Sequence, residues 1–301
     1  MQTDPLVLNN QAQQMLHDLL PQVCQVGWGA AAILRSYYQG EPGRTNLGVQ
    51  EEQEGPVTAA DIAANHFILE QLHTIVPDRE HGYLSEETYK AGAHPQPLPQ
   101  AWVWIVDPLD GTRDFIDRTG EYALHIALTY QGRPVLAVVV CPELEKLYYA
   151  TLGGGSYVQT LGQAEPDRRL TVSTRSQPED LTIVVSRTHR DDRFNQFLDR
   201  FPCANRHYVG SVGCKISAIV EQQADWYPIL SGKSAPKDWD LAAPELILTE
   251  AGGQVSRIDG SSLRYNQADV NQWGAILATN GHAHNTLCAL ARTIIDDLDQ
   301  P

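Results

Sequence analysis

The residues best suited to chemistry in this chain are carboxylates in three short stretches. The first is Asp107-Pro108-Leu109-Asp110-Gly111-Thr112, which ends an apolar run at 102–106. Pro108 opposes continued strand pairing and Gly111 permits a tight turn, so Asp107, Asp110 and the Leu109 carbonyl can converge. Such oxygen donors suit a hard divalent cation, and Mg²⁺ in particular takes a few carboxylates together with water and substrate phosphate. Read alone, the stretch suits a polar turn after a strand equally well. Ser85-Glu86-Glu87 lies upstream, and Lys237-Asp238-Trp239-Asp240 lies far downstream. Pro244 is compatible with a helix beginning near Asp240 or Leu241, which puts Asp240 at a helix N-terminus, where a carboxylate is favoured. Singly, Asp240 reads as a cap and Glu86-Glu87 as a solvated loop. Together the three stretches point to a metal site.

Other segments could serve a substrate. Ser186-Arg187-Thr188-His189 follows a strand pattern, and Val209-Gly210-Ser211-Val212-Gly213-Cys214-Lys215 leads into a helix. A glycine-rich helix entry can offer free backbone amides to an anion, and a lysine one turn in adds a point charge. An ordinary helix start and an exposed loop histidine are the plainer readings. Thr58-x-x-Asp61 before an apolar run is a capping-box pattern. No P-loop is present, no Cys or Ser sits in a nucleophile motif, and Gly153-Gly154-Gly155 reads as a turn between strands.

The elements that must position these groups read as layered α/β. Helical apolar spacing runs from about residue 9 to 38, with Pro21 interrupting or offsetting it; 40–55 reads as a loop or short hairpin, and a second helix opens after Thr58 and closes at Pro77-Asp78. Residues 81–100 read as loop. Strands follow at 102–106, 122–130, 134–141, 147–151 and 156–159, with Gln131-Gly132 as a hairpin turn. Polar residues 161–169 suggest a boundary. Beyond it strands at 181–186, 206–209, 225–229 and 273–278 alternate with helices at 192–201, 212–223, 241–251 and from 283. The expected organisation is an antiparallel-rich N-terminal lobe, 1–165, with most candidate ligands, and an α/β C-terminal lobe, 166–301, with Asp240 and the substrate segments.

Bulk properties narrow the function. The chain has 301 residues, 42% hydrophobic and 20% charged, which is ordinary globular composition with ample core. A net charge of −15 opposes a nucleic-acid polymer as partner, though most of it is accounted for by a solvated acidic surface. No apolar run approaches the roughly 18 residues of a membrane span, and residues 1–10 do not resemble a secretory signal. Five scattered cysteines form neither a disulfide framework nor a zinc site. A cytoplasmic protein is expected, as monomer or homodimer, with a small-molecule substrate and no membrane partner.

The chain resembles the inositol-monophosphatase superfamily of lithium-sensitive phosphatases. The resemblance rests on Pro56-Val-Thr-Ala-Ala-Asp61, Ser85-Glu-Glu87, Asp107-Pro-Leu-Asp-Gly-Thr112 and Trp239-Asp-Leu-Ala-Ala-Pro244 continuing to Gly253, in family order over nearly the whole chain. It implies a sugar-phosphatase fold, two or three Mg²⁺ ions and inhibition by Li⁺. By position it makes Glu86, Asp107, Asp110, Asp240 and the Leu109 carbonyl metal ligands, places Glu87 just behind them, and assigns Asp61 and Thr112 to the attacking water. Gly111 and Thr112 would also touch substrate. Ser186, His189, Ser211 and Lys215 match nucleotide-contacting positions of the 3′(2′),5′-bisphosphate nucleotidase branch, and the run Asp110-Gly-Thr-Arg113-Asp114-Phe115-Ile116 also suits the motif of that branch. The implied reaction is hydrolysis of adenosine 3′,5′-bisphosphate, a by-product of sulfate assimilation, to AMP and phosphate, with its sulfated relative PAPS as a second substrate.

Two departures stand out. Gln50-Glu51-Glu52-Gln53-Glu54 replaces a loop that is often basic and lies near a weaker third metal, so the ion count stays open. Ser211 stands where glycine is common, so contact there is expected through its backbone. A sibling reading is an inositol monophosphatase or a fructose-1,6-bisphosphatase-like enzyme. A non-catalytic nucleotide or metal sensor on the same fold would be expected to have lost a ligand, yet Glu86, Asp107, Asp110, Asp240, Asp61 and Thr112 are all present.

Overall fold

The computed structural model describes residues 6–52, 55–76, 80–92, 97–164, 166–187, 191–203 and 205–300. Two helices open the chain, α1 (Asn10–Tyr38) and α2 (Ala59–Ile75), separated by a hairpin of β1 (Gln50–Glu52) and β2 (Gly55–Val57). Asn9 starts α1 by accepting the Ala12 N–H at 2.9 Å. The helix runs straight through Pro21. That proline faces solvent, so the carbonyl it leaves unbonded can meet water, while Leu16, Leu19, Val23, Val26, Ala30 and Leu34 bury the opposite stripe. The expected end of α2 at Pro77-Asp78 lies outside the described residues.

A seven-stranded sheet follows, in spatial order of sequence: β3 (His81–Ser85), β4 (Trp102–Asp110), β5 (Ala123–Tyr130), β6 (Arg133–Cys141), β7 (Lys146–Thr151), β8 (Gly155–Thr160) and β9 (Arg168–Arg169). Among the described residues of this sheet, only β3 and β4 are parallel; every other pair is antiparallel. Residues 81–100, expected as loop, therefore contain β3 and the one-turn helix α3 (Glu86–Lys90). β3 is held by its partner β4, a long-range pairing that short local pattern cannot announce. Gln131 and Gly132 both take positive φ, 50° and 72°, as a two-residue turn matched to strand twist requires. A second short helix, α4 (Thr112–Ile116), follows the Asp107–Asp110 corner.

The second sheet has the order β11 (Asn205–Tyr208), β10 (Thr182–Val185), β12 (Trp226–Leu230), β14 (Ala275–Thr279), β13 (Gln254–Arg257), and is parallel on one side and antiparallel on the other. Its helices are α5 (Asp192–Arg200), α6 (Val212–Val220), α7 (Asp238–Glu250) and α8 (His284–Leu298). Three apolar clusters define the layers. One joins α1 and α2 to the first sheet through Trp104, Val106, Ile126 and Val138. A second joins the other face of that sheet to α6, α7 and the second sheet, through Val103, Ile105, Ile219, Leu246, Tyr227 and Ile276. The third packs α5 and α8 on the far side through Phe197, Trp226, Leu277 and Leu287. The layer order is helix, sheet, helix, sheet, helix. The α6–α7 layer belongs to both sheets, and β9 still pairs with β8 beyond residue 165, so the two sheets share the central cluster.

Candidate metal centre

Asp107 and Asp110 come together through an irregularity in β4. Residues three apart on a regular strand point to opposite faces. Here the register with β5 shifts between Asp107, opposite His125, and Asp110, opposite Ala123. The one-residue slip across Pro108 and Leu109 reverses the parity, so both acids can serve one side. The strand thus reaches Asp110 instead of stopping at Asp107. Asp107 Oδ1 accepts the Leu109 N–H at 3.0 Å, which fixes the turn. Asp110 Oδ2 accepts the Gly213 N–H of α6 at 2.7 Å and lies 3.2 Å from His125 Nε2. Gly111 takes φ 86° and passes so close to Ser211 that an added Cβ would stand 2.9 Å from that residue's Cβ.

Asp240 enters from the start of α7, in the layer between the two sheets. α7 begins at Asp238, earlier than the proline suggested, because buried Asp238 is anchored by the Asn266 N–H and the Gln272 side chain at 2.6 and 2.8 Å. Asp240 then sits in the first turn, with Oδ2 accepting the Lys237 N–H at 2.7 Å. Pro244 falls inside the helix. Glu86 and Glu87 open α3 at the end of β3, directly beside β4.

The charges of these groups act on one another. Burial, then Glu86, Asp110 and Asp240, push Asp107 well above the usual carboxylate range. Burial, then Glu86 and Asp110, raise Asp240 to about 7. Asp110 goes the other way: burial would raise it, but the His125 imidazole overrides this and lowers it. Buried acids that oppose each other's ionisation lack positive charge. Among the described residues, no three His, Cys, Asp or Glu side chains are drawn tightly around one point as they stand. Yet one oxygen each of Asp107, Asp110 and Asp240 bonds to protein, leaving the other for a ligand. The donor set is all oxygen and anionic, which fits Mg²⁺.

Beside this corner, Thr112 Oγ1 lies 3.3 Å from Asp61 Oδ1 and 3.2 Å from the Leu109 carbonyl. Asp61 also completes the capping box of α2, with Oδ2 accepting the Thr58 N–H at 2.8 Å. Both roles coexist because the two carboxylate oxygens are divided between them. Burial raises Asp61 to about 6, against the bonds from Thr58. Burial likewise raises Glu87 to about 7, although Lys90 beside it works in the opposite direction.

A model of the inositol monophosphatase family matches residues 15–296. The chain belongs to that family. It is 37% identical over 251 residues to a 3′(2′),5′-bisphosphate nucleotidase CysQ of Salmonella typhimurium, covering 82% of this chain and 94% of that protein. The same-named protein of Escherichia coli strain K12 is 33% identical with the same coverage. Among solved structures, an IMPase of Thermotoga maritima superposes with a TM-score of 0.76 at 21% identity, covering 93% of this chain and 99% of that one. The layered mixed α/β fold is the fold of this family.

Within this family fold, the helix entry at Gly210 is not the open anion cradle expected of it. Four of its amides are spent: Gly210 N–H on the Glu121 carboxylate at 2.7 Å, Ser211 N–H on the Glu121 carbonyl at 3.1 Å, Gly213 N–H on Asp110 and Cys214 N–H on the Ser211 hydroxyl at 3.1 Å. The expected backbone contact at Ser211 is therefore already occupied. Lys215 is buried, bonded to the Gly210 and Ser211 carbonyls and set over the Tyr227 ring at 5.2 Å. Burial lowers its pKa, while Asp110 acts to raise it. Ser186 is half-buried at the end of β10, and His189 lies outside the described residues.

Sequence reasoning missed His125. It is buried, with Nδ1 donating to the Trp239 carbonyl at 3.2 Å and Nε2 facing Asp110. It thereby ties β5 to β4 and to the start of α7. Burial would lower its pKa, but Asp110 raises it. A histidine inside an apolar strand reads as a core residue; only its position opposite Asp107 marks it.

Proposed function

We propose that this chain is a Mg²⁺-dependent 3′(2′),5′-bisphosphate nucleotidase that hydrolyses adenosine 3′,5′-bisphosphate to AMP and phosphate in the cytoplasm, with PAPS as a further substrate and Li⁺ as an inhibitor. The observation that carries the reading is the Thr112 hydroxyl, shared by Asp61 and the Leu109 carbonyl at the edge of the carboxylate corner. Glu86, Asp107, Asp110, Asp240 and the Leu109 carbonyl would hold Mg²⁺, which when bound supplies charge neutralisation for the phosphate and acidifies a bound water.

The chain's own groups account for the proton. When Thr112 Oγ1 donates to Asp61 and not to the Leu109 carbonyl, its lone pairs can accept from a water, so a water proton can pass to Thr112 as the threonine proton passes to Asp61. Asp61, raised to about 6, is a stronger base than an ordinary carboxylate yet ionised at neutral pH. Asp110 is held in one rotamer by Gly213 and His125, which supports the alignment that phosphoryl transfer requires. The names of the bacterial relatives support the choice of substrate. Ser186, His189, Ser211 and Lys215 are proposed for the nucleotide side, Ser211 and Lys215 by shaping the loop at Gly210 beside Gly111.

Phosphate release from adenosine 3′,5′-bisphosphate, inositol 1-phosphate and fructose 1,6-bisphosphate, with Mg²⁺ and with chelator, tests the proposal. The nucleotide should lead by kcat/KM, and chelation should abolish turnover. A wide lead for the inositol or sugar ester would overturn the substrate assignment.

A further inference from the structure

The short helix α3 carries one more charged residue whose position bears on the site. Lys90 Nζ lies 2.8 Å from Glu86 Oε1 and 3.4 Å from Glu87 Oε1, and only 10% of its side chain is exposed. Spacings of three and four residues are ordinary helical pairings and, at a solvated surface, contribute little. This pair is not at such a surface. Glu86 is 18% exposed and Glu87 6%, and the charge of Glu86 reaches Asp61, Asp107 and Asp240. The ammonium therefore stands at the edge of a buried acidic cluster that is short of positive charge. Burial alone would lower its pKa, but Glu86 and Glu87 hold it above the usual lysine value.

We propose that Lys90 is an internal competitor for the metal centre, its ammonium holding Glu86 until a divalent cation displaces it. The inference rests on the metal reading of Glu86, Asp107, Asp110 and Asp240 given above. A tethered ammonium lends the empty cluster charge and so stabilises it. The same ion pair must break, or Glu86 must turn its other oxygen, when a dication arrives. Lys90 thus sets how much Mg²⁺ the protein needs, and acts as a positioning residue through Glu86.

The test is direct binding of Mn²⁺, a spectroscopic probe for the hard-cation site, to the full chain without substrate, read from the free-ion electron paramagnetic resonance signal. Lys90→Met should bind Mn²⁺ roughly tenfold more tightly than the unaltered protein, the factor expected for loss of a partly buried ion pair. Lys90→Arg should stay near the starting affinity. Lys90→Gln should repeat the methionine result and replaces it if the methionine variant does not fold. Lys146→Met removes the same charge from a pair with Glu221 elsewhere in the fold and should leave Mn²⁺ binding unchanged. Equal or weaker binding in Lys90→Met and Lys90→Gln, or equal tightening in Lys146→Met, overturns the role of Lys90 while leaving the metal centre standing. No Mn²⁺ binding by any of these proteins overturns the metal centre itself.

Discussion

Asp107 and Asp225 are both almost fully buried, at 1% and 0% exposure, but their surroundings differ in kind. Asp225, just before β12, accepts both contacts of the Arg175 Nε at 2.9 Å, the Thr182 N–H at 2.8 Å and the Ser173 hydroxyl, with Asn280 Nδ2 also near. Its charge is met by a guanidinium and its lone pairs by donors. Asp107 accepts one backbone N–H and otherwise faces three more carboxylates. A buried acid that is fully satisfied holds a fold together; a group of acids left short of positive charge is prepared for a cation from outside. The first sits beside strands of the second sheet, the other in β4 facing the start of α7.

The contrast can be broken most forcefully at Asp110. Asp110→Asn should lower kcat/KM for adenosine 3′,5′-bisphosphate on the order of 10³-fold or more while circular dichroism stays native, since it removes a ligand charge but keeps the Gly213 bond. Retained activity would refute the ligand assignment. Asp225→Ala should do the reverse: it strands several buried donors and costs about 3 kcal/mol in urea unfolding, while kcat of the folded protein holds within about twofold. A large drop in kcat at full stability would erase the distinction.

His125 lies between these extremes, as a buried imidazole that serves a ligand. His125→Ala should weaken divalent-cation affinity by about 10- to 100-fold in calorimetric titration, with His125→Asn recovering part of it. Unchanged affinity in the alanine variant would remove His125 from the site.

An effect on stability alone, with catalysis untouched, is expected at Glu245, a buried acid in α7 whose partner is the Tyr265 hydroxyl at 2.5 Å. Burial raises it to about 7 from 4.5. The folded state therefore holds a proton more tightly than the unfolded chain. That contribution to stability is full below pH 4.5 and is lost as pH rises through 7. Glu245→Gln should leave the melting midpoint nearly unchanged at pH 5 and raise it at pH 8, by an amount corresponding to at most ~3 kcal/mol. A gain of equal size at both pH values would contradict the titration.

Much of this arrangement was legible in the residues. The apolar stripe of α1, the Gln131-Gly132 turn and the strands flanking it follow from period and turn chemistry, because those elements satisfy themselves locally. β3 and β13 were missed because short edge strands depend on their neighbours. Asp61 illustrates a double signal: one oxygen closes the capping box that the pattern Thr58-x-x-Asp61 announces, and the other faces Thr112. The slip in β4 that aligns Asp107 with Asp110 leaves only Pro108 as a trace in sequence. The amides at Gly210 looked open because their acceptors, Glu121 and Asp110, come from a distant part of the chain.

Diffraction from crystals soaked in Mn²⁺, recorded at its absorption edge, tests the central contrast most directly. The expected result is anomalous density among Glu86, Asp107, Asp110 and Asp240, and none beside Asp225. Density at Asp225, or an empty corner at saturating Mn²⁺, would contradict the account.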